Sequence, residues 1–194
     1  NQFINKLLKT GLEQNILDIY EFDKKKEASK TDGKMKKTIY GIPKLSDANK
    51  AGTKESIKCT LILTEGDSAK TMAISGLPNR DYYGVFPLKG KLLNVRNETT
   101  KAATNTEIIN LKKILGLQEF EIGTNKPKEY NSTKELRYGQ IRLCMDQDVD
   151  GSHIKGLLMN FLHVLWPELL KRDGFVTSLA TPIVKLFKGK TVKT

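Results

Sequence analysis

The chain has 194 residues, 33 Lys plus Arg against 22 Asp plus Glu (net charge +11), and 38% hydrophobic residues. That length suits one packed domain with an appendage, and that composition supports a core and excludes disorder of the whole chain. The most apolar stretch, Leu157 to Trp166, is broken by Asn160 and His163 and falls short of the ~20 residues a membrane-spanning helix needs. Cys59 and Cys144 are the only cysteines and stand 85 positions apart, which excludes a disulfide framework; their apolar surroundings predict buried, reduced thiols in an intracellular protein. With Asn1 first and a Lys-rich run last, the sequence reads as a piece of something longer.

Residues 1–20 place Phe3, Ile4, Leu7, Leu8, Leu12, Ile16 and Ile19 on a helical apolar stripe interrupted at Gly11, which predicts a packing face. Residues 21–56 lack periodicity and read as a basic linker or mobile loop. The charge concentrates here: residues 24–58 hold 11 Lys and 4 acidic residues, net +7. A basic segment beside a nearly balanced domain is the footprint of a polyanion binder. With 28 Lys and 5 Arg in the chain, the pattern favours phosphate contact over base reading, which uses bidentate Arg.

From Cys59 onward, residues 57–194 read as the main domain, with strands alternating with helices. The run Cys59–Leu63 predicts a strand that meets the turn Glu65-Gly66-Asp67-Ser68, and Ala69–Leu77 follows as a helix. Tyr83–Leu88 predicts a short strand. Thr104-Asn105-Thr106-Glu107 reads as a capping box ahead of a helix carrying Ile108, Ile109, Leu111, Ile114 and Leu115. Residues 118–135 are polar and predict a loop. Ile141–Met145 predicts a buried strand, Asp146–Gly151 an acidic loop, and Ser152 to about Leu165 a helix ending near Pro167; Phe175–Leu186 offers one or two further strands. This alternation implies an α/β fold with a parallel sheet flanked by helices, whose ligands gather outside the carboxyl ends of the strands.

Two acidic clusters, Glu65 with Asp67 and Asp146 with Asp148 and Asp150, each follow a predicted strand. Carboxylates gathered at one edge repel one another unless a cation neutralises them, and Mg2+ suits hard oxygen ligands. Asp146 and Asp148 share one side of an extended segment, able to share one ion or hold two, and paired metals favour phosphoryl transfer. The competing reading is a solvated turn whose acids cap helices. A calcium hand is excluded, because Leu157 stands where its twelfth-position Glu belongs and a strand precedes the loop. A P-loop is excluded by the five residues between Gly84 and Gly90 and by Leu92 in place of Ser or Thr.

Four segments then carry a resemblance: Ile42–Asn49 (IPKLSDAN), Cys59–Lys70 (CTLILTEGDSAK), Tyr83–Val95 (YGVFPLKGKLLNV) and Asp146–Gly156 (DQDVDGSHIKG). Together, and in this order, they resemble the Toprim region of type IIA DNA topoisomerases, closer to the eukaryotic type, topoisomerase II, than to bacterial gyrase. The resemblance runs from Gly41 to about Val184, with residues 1–20 similar to the helix leaving a preceding transducer domain. It implies a Toprim, Rossmann-like sheet with Glu65, Asp146 and Asp148 as catalytic and metal ligands for two Mg2+ ions. Glu65 would also take part in general acid/base chemistry, with Asp150 behind the ligands and Lys91 and Asn94 on DNA. It further implies cleavage and religation of double-stranded DNA by a tyrosine of a winged-helix domain outside this chain, ATP bound elsewhere, a homodimer, and a nuclear location (cytoplasmic for a viral enzyme). The isolated piece is expected to be inactive. Val149 and Ser46 depart from the family pattern. Arg137-Tyr138 imitates the cleaving Arg–Tyr pair but falls on the segment leading into the second acidic strand, so Tyr138 is assigned to packing or loop structure. His163 and Trp166 are assigned to core or interface, and His153 to hydrogen bonding at the helix start. A primase or nuclease of the Toprim kind would lack the IPKL and KLLNV segments; a non-enzymatic binding module would use the acids only as caps.

Overall fold

A computed structural model describes residues 10–96, 102, 104–121, 126–180, 186–188 and 191–193. Four parallel strands form the sheet: β1 (Thr60–Thr64), β2 (Tyr83–Pro87), β3 (Gln140–Cys144) and β4 (Val176–Ser178), in the order β2-β1-β3-β4. β1 is buried along its whole length, as its unbroken Leu61-Ile62-Leu63 run requires of a strand with neighbours on both sides. The chain leaves β1 toward β2 on one side, whereas β3 pairs with β1 on the other and leads to β4. The carboxyl ends of β1 and β3 are therefore the topological switch point, where an open α/β sheet forms its binding crevice. Leu186–Lys188 and Thr191–Lys193 (β5 and β6) form a separate antiparallel pair. Among the described residues no helix is long and apolar enough to cross a membrane.

The helices follow the predicted alternation with shifted ends. One spans Asp67–Ser75 between β1 and β2 and buries no side chain. Another spans Thr106–Leu115 and buries Ile108, Leu111, Ile114 and Leu115. Its cap is Asn105, whose side-chain oxygen accepts from the Ile108 N–H at 3.1 Å, so the expected Thr104–Glu107 capping box gives way to the residue between. A long helix, Val149–Leu165, buries Ile154, Leu157, Leu158, Phe161 and Leu162, one stripe at helical spacing. It starts three residues earlier than expected because Asp148 caps it. Trp166 is fully buried, donates from Nε1 to Gln118 O at 2.7 Å and meets Phe161 edge-on at 5.5 Å between ring centroids, whereas His163 is exposed. Cys59 is buried, which pushes its thiol up to about 11, and Cys144 is half-buried. The described residues of segment 118–135 are mostly irregular, with Tyr130 buried and its hydroxyl accepting from Gln118 N at 2.8 Å.

The basic segment departs most from expectation. Helix Leu12–Thr31 starts at Gly11, which holds φ +72°, and crosses the boundary drawn at residue 20; residues 1–9, with the first half of the predicted stripe, lie outside the described residues. Leu12, Ile16, Ile19, Tyr20 and Phe22 are exposed, and Ala28 is the helix's buried apolar residue. The helix is held at its carboxyl end, where Lys112, 1% exposed, reaches Asp32 at 2.8 Å, Glu119 at 2.6 Å and Thr31 Oγ1 at 2.9 Å. Beyond it, residues 34–54 form a strap docked on the sheet. Ile42, Ala48 and Ala51 are buried, and Ser46 pairs antiparallel with Val85 of β2. The strap thus covers a strand edge that would otherwise present unpaired backbone.

Candidate functional site at the carboxyl edge

Glu65 directly follows β1, and Asp146 lies two residues beyond β3. Parallel pairing sets Thr64 level with Cys144, so the two acids arrive at the same edge. The Asp146 N–H donates to a Glu65 carboxylate oxygen at 3.3 Å. Asp148 stands at the start of helix 149–165, accepting from the Gly151 N–H at 2.7 Å. The turn between them is tight: a Cβ on Gly151 would lie 2.1 Å from the Asp146 carbonyl oxygen. Only glycine lets the helix start fold back this closely on the Asp146 carbonyl. Val149, the departure from the family pattern, is 85% exposed.

Two acids at this edge already have cations. Lys91 approaches Asp150 at 2.9 Å, and that hydrogen bond and charge hold the Asp150 carboxyl below the usual carboxylate range. Lys44 pairs with Asp67 and does the same there, and Lys70 donates to the Lys44 carbonyl at 2.8 Å. Glu65, Asp146 and Asp148 have no cationic side-chain partner among the described residues. These half-exposed or exposed hard oxygens, left without a counter-charge, fit a divalent cation. They do not form a closed cage. Among the described residues no group of three or more acidic, His or Cys side chains stands together as a metal site. An ion that keeps several waters needs only one or two carboxylates, and Glu65 with Asp146 supplies such a pair.

Lys91 and Asn94 lie on the loop after β2, and both reach helix 149–165. Lys91 does so through Asp150, and Asn94 by accepting from Asn160 Nδ2 at 2.8 Å. Both are exposed. His153 is exposed one turn into the helix. Tyr138 is packed, as assigned: it is fully buried, its hydroxyl donating to Asp47 and accepting from the Ala48 N–H at 3.0 Å. Burial, with Asp47 beside it, drives its hydroxyl far above the ordinary tyrosine value.

Sequence reasoning missed the rest of this knot. Arg137, 0% exposed, donates to Lys36 O at 2.6 Å, Ile114 O at 2.8 Å, Lys37 O at 3.2 Å and the Asp47 carboxylate. It also missed Lys44 as the cation that neutralises Asp67. Neither had a local signal, since Asp47 and Arg137 are 90 positions apart and Lys44 and Asp67 are 23 apart.

The sequence model of the Toprim domain matches residues 60–180, and the chain belongs to the Toprim domain family. Among full-length relatives it is 53% identical to a protein named DNA topoisomerase 2 from Acanthamoeba polyphaga mimivirus, over 97% of this chain and 15% of that protein. It is likewise 53% identical to the Drosophila melanogaster DNA topoisomerase 2, over 96% of this chain and 13% of that protein. The solved DNA-binding, cleavage and re-ligation domain of Plasmodium falciparum topoisomerase II is 52% identical, with a TM-score of 0.73, across 82% of this chain and 21% of that one. The chain thus spans only about an eighth to a seventh of the length of these relatives.

Proposed function

We infer that the chain is the Mg2+-binding Toprim portion of an ATP-dependent type IIA DNA topoisomerase that cleaves and religates double-stranded DNA. The observation that carries this reading is the meeting of Glu65 and the Asp146 amide at the switch point, with Asp148 at the start of the following helix and no lysine neutralising any of the three among the described residues. Glu65, Asp146 and Asp148 would hold the ions, two in number, and Mg2+ supplies charge stabilisation for the phosphate and leaving oxygen of an in-line displacement. Glu65 would also pass a proton. Lys91 exchanges Asp150 for a DNA phosphate, and Asn94 adds a neutral contact. The attacking tyrosine comes from a winged-helix domain outside this chain, ATP binds elsewhere in the same protein, and the working enzyme is a homodimer acting in the nucleus, or in the cytoplasm for a viral enzyme. Alone, this chain leaves DNA uncut.

The test is detergent trapping of covalent protein–DNA complexes, comparing the parent enzyme with its Glu65→Ala variant while ATPase activity and folding are followed in parallel. Loss of trapping with both intact supports the reading, and undiminished trapping overturns it. One observation favours a binding module instead: Asp148 already serves as a helix cap. In that case an Mg2+ titration followed by NMR leaves the signals of Glu65, Asp146 and Asp148 unmoved.

A further inference from the structure

We propose that the strap forms a second nucleic-acid surface at the amino edge of the sheet, where Lys37, Lys50 and Lys54 converge on a preformed cleft that takes backbone phosphates of a duplex.

The cleft measures about 440 Å3 and is lined by Lys37, Asn49, Lys50, Thr53, Lys54 and Glu55. Its place follows from the backbone. Asn49 N donates to Arg80 O at 3.0 Å and Lys50 N to Asp81 O at 2.9 Å, just before β2 begins. A five-residue strand rises roughly 16 Å, so this cleft and Glu65 lie at opposite ends of β1. The strap joins the two ends, with Lys44 at the acidic edge and Lys50 at the other.

Charge in the cleft is unbalanced. Its one acid, Glu55, is engaged: it accepts from the Tyr82 hydroxyl at 2.6 Å and lies 3.3 Å from Lys50 Nζ. Lys37 and Lys54 are exposed and have no acidic partner among the described residues. Asn49 and Thr53 are engaged within the fold, Asn49 Nδ2 donating to Asp81 at 2.9 Å and Thr53 Oγ1 to Lys50 O at 2.8 Å, so the phosphate contacts fall to the lysines.

The cleft is also built in advance. Arg137, fully buried, grips the carbonyls of Lys36 and Lys37. Gly52, at φ +67°, lets the returning arm touch the first, since a Cβ there would lie 2.0 Å from the Lys36 carbonyl. The backbone carrying the lysines is ordered before any ligand arrives, so binding does not have to order it. Lysines without arginine act as point charges, which suits a sequence-independent backbone contact. The choice of DNA over other polyanions rests on the topoisomerase reading; the cleft itself does not.

The test uses the 194-residue chain with a fluorescein-labelled DNA duplex and EDTA, so that no divalent cation acts at the acidic edge. Anisotropy is followed between about 50 and 200 mM salt, and the variant Lys37→Gln/Lys50→Gln/Lys54→Gln is expected to lower the slope of log K against log salt by about 2 to 3. Affinity at the low-salt end should fall by more than about tenfold. The matching triple Lys→Arg variant, with an unchanged thermal midpoint, should keep the slope. An unchanged slope in the Gln variant overturns the proposal, as does a Gln variant that keeps the DNA slope but loses a phosphoserine peptide. The two readings fail separately: the slope can drop whatever Glu65→Ala does to trapping, and trapping can be lost while the slope stays.

Discussion

The carboxyl edge and the knot around Arg137 are made from the same kinds of residue and do opposite things. At the edge, Glu65, Asp146 and Asp148 face solvent without a cationic partner among the described residues. In the knot, Asp47, Arg137 and Tyr138 leave no side-chain polar atom unpaired, and the arginine and tyrosine have no exposed surface. Full pairing under burial turns reactive groups into architecture; exposure at a switch point without a counter-charge leaves carboxylates accessible. The Arg137-Tyr138 dipeptide illustrates the point. It looks like a cleaving pair, yet its hydroxyl is spent on Asp47 and Ala48.

That contrast is most easily broken at Arg137. Arg137→Met strands the Asp47 carboxylate and three carbonyls, and should cost about 3–5 kcal/mol, the range for breaking a buried ion pair. Urea denaturation measures it, and Arg137→Lys should recover little, since an ammonium cannot replace the guanidinium fork. Gly151→Ala sharpens the other side. Its Cβ would collide with the Asp146 carbonyl, so a cost of about 1–3 kcal/mol is expected from overpacking, with the Asp146 amide signal displaced by NMR.

Tyr138→Phe should cost about 1–2 kcal/mol through the lost hydrogen bonds. It also carries a pH signature. Burial pushes Tyr138 far above its ordinary value and Tyr130 up to about 12. An unfolded tyrosine loses its proton near pH ~10, so this stabilisation is fully present below that pH and declines as pH rises toward the folded values. Thermal midpoints should therefore fall above about pH 10, and more shallowly in Tyr138→Phe; an equal decline in both would remove Tyr138 from the account. The smallest effect on stability belongs to the edge. Asp148→Asn should change it by less than about 0.5 kcal/mol, because Asn caps a helix as well as Asp. In the parent enzyme the same substitution should weaken metal-dependent cleavage, and unchanged cleavage at limiting Mg2+ would separate Asp148 from that role.

Much of the fold was legible because strands and helices write their burial into local periodicity. The apolar run Cys59–Leu63 marked a strand, found at Thr60–Thr64, and the stretch from Ser152 to about Leu165 marked a helix, found at Val149–Leu165. The acidic turns were legible too, since each directly follows an apolar run. The strap was not. Its Lys, Asp and Gly look like a solvated linker, and what docks it is Arg137 from a distant segment, together with Ala48, Ala51 and Ile42 spaced without a period. The helix boundary at residue 20 misled for a related reason. The charged stretch 23–31 has no apolar stripe, yet it stays helical up to the point where buried Lys112 holds Asp32 and Thr31.

By itself the amino-acid sequence determined the alternation of elements, the parallel sheet, and which acids would lie just beyond strands, all properties of neighbours along the chain. Only the tertiary structure decided that β1 and β3 would be adjacent, bringing Glu65 within hydrogen-bonding reach of the Asp146 amide. It alone decided that Lys44 and Lys91 would neutralise Asp67 and Asp150 while leaving the other three acids without a lysine, and that the tyrosine beside Arg137 would be sealed in the core. Those outcomes depend on which segments meet in space, and residues from 23 (Lys44 and Asp67) to 91 (Asp47 and Tyr138) positions apart carry no local trace of their meeting.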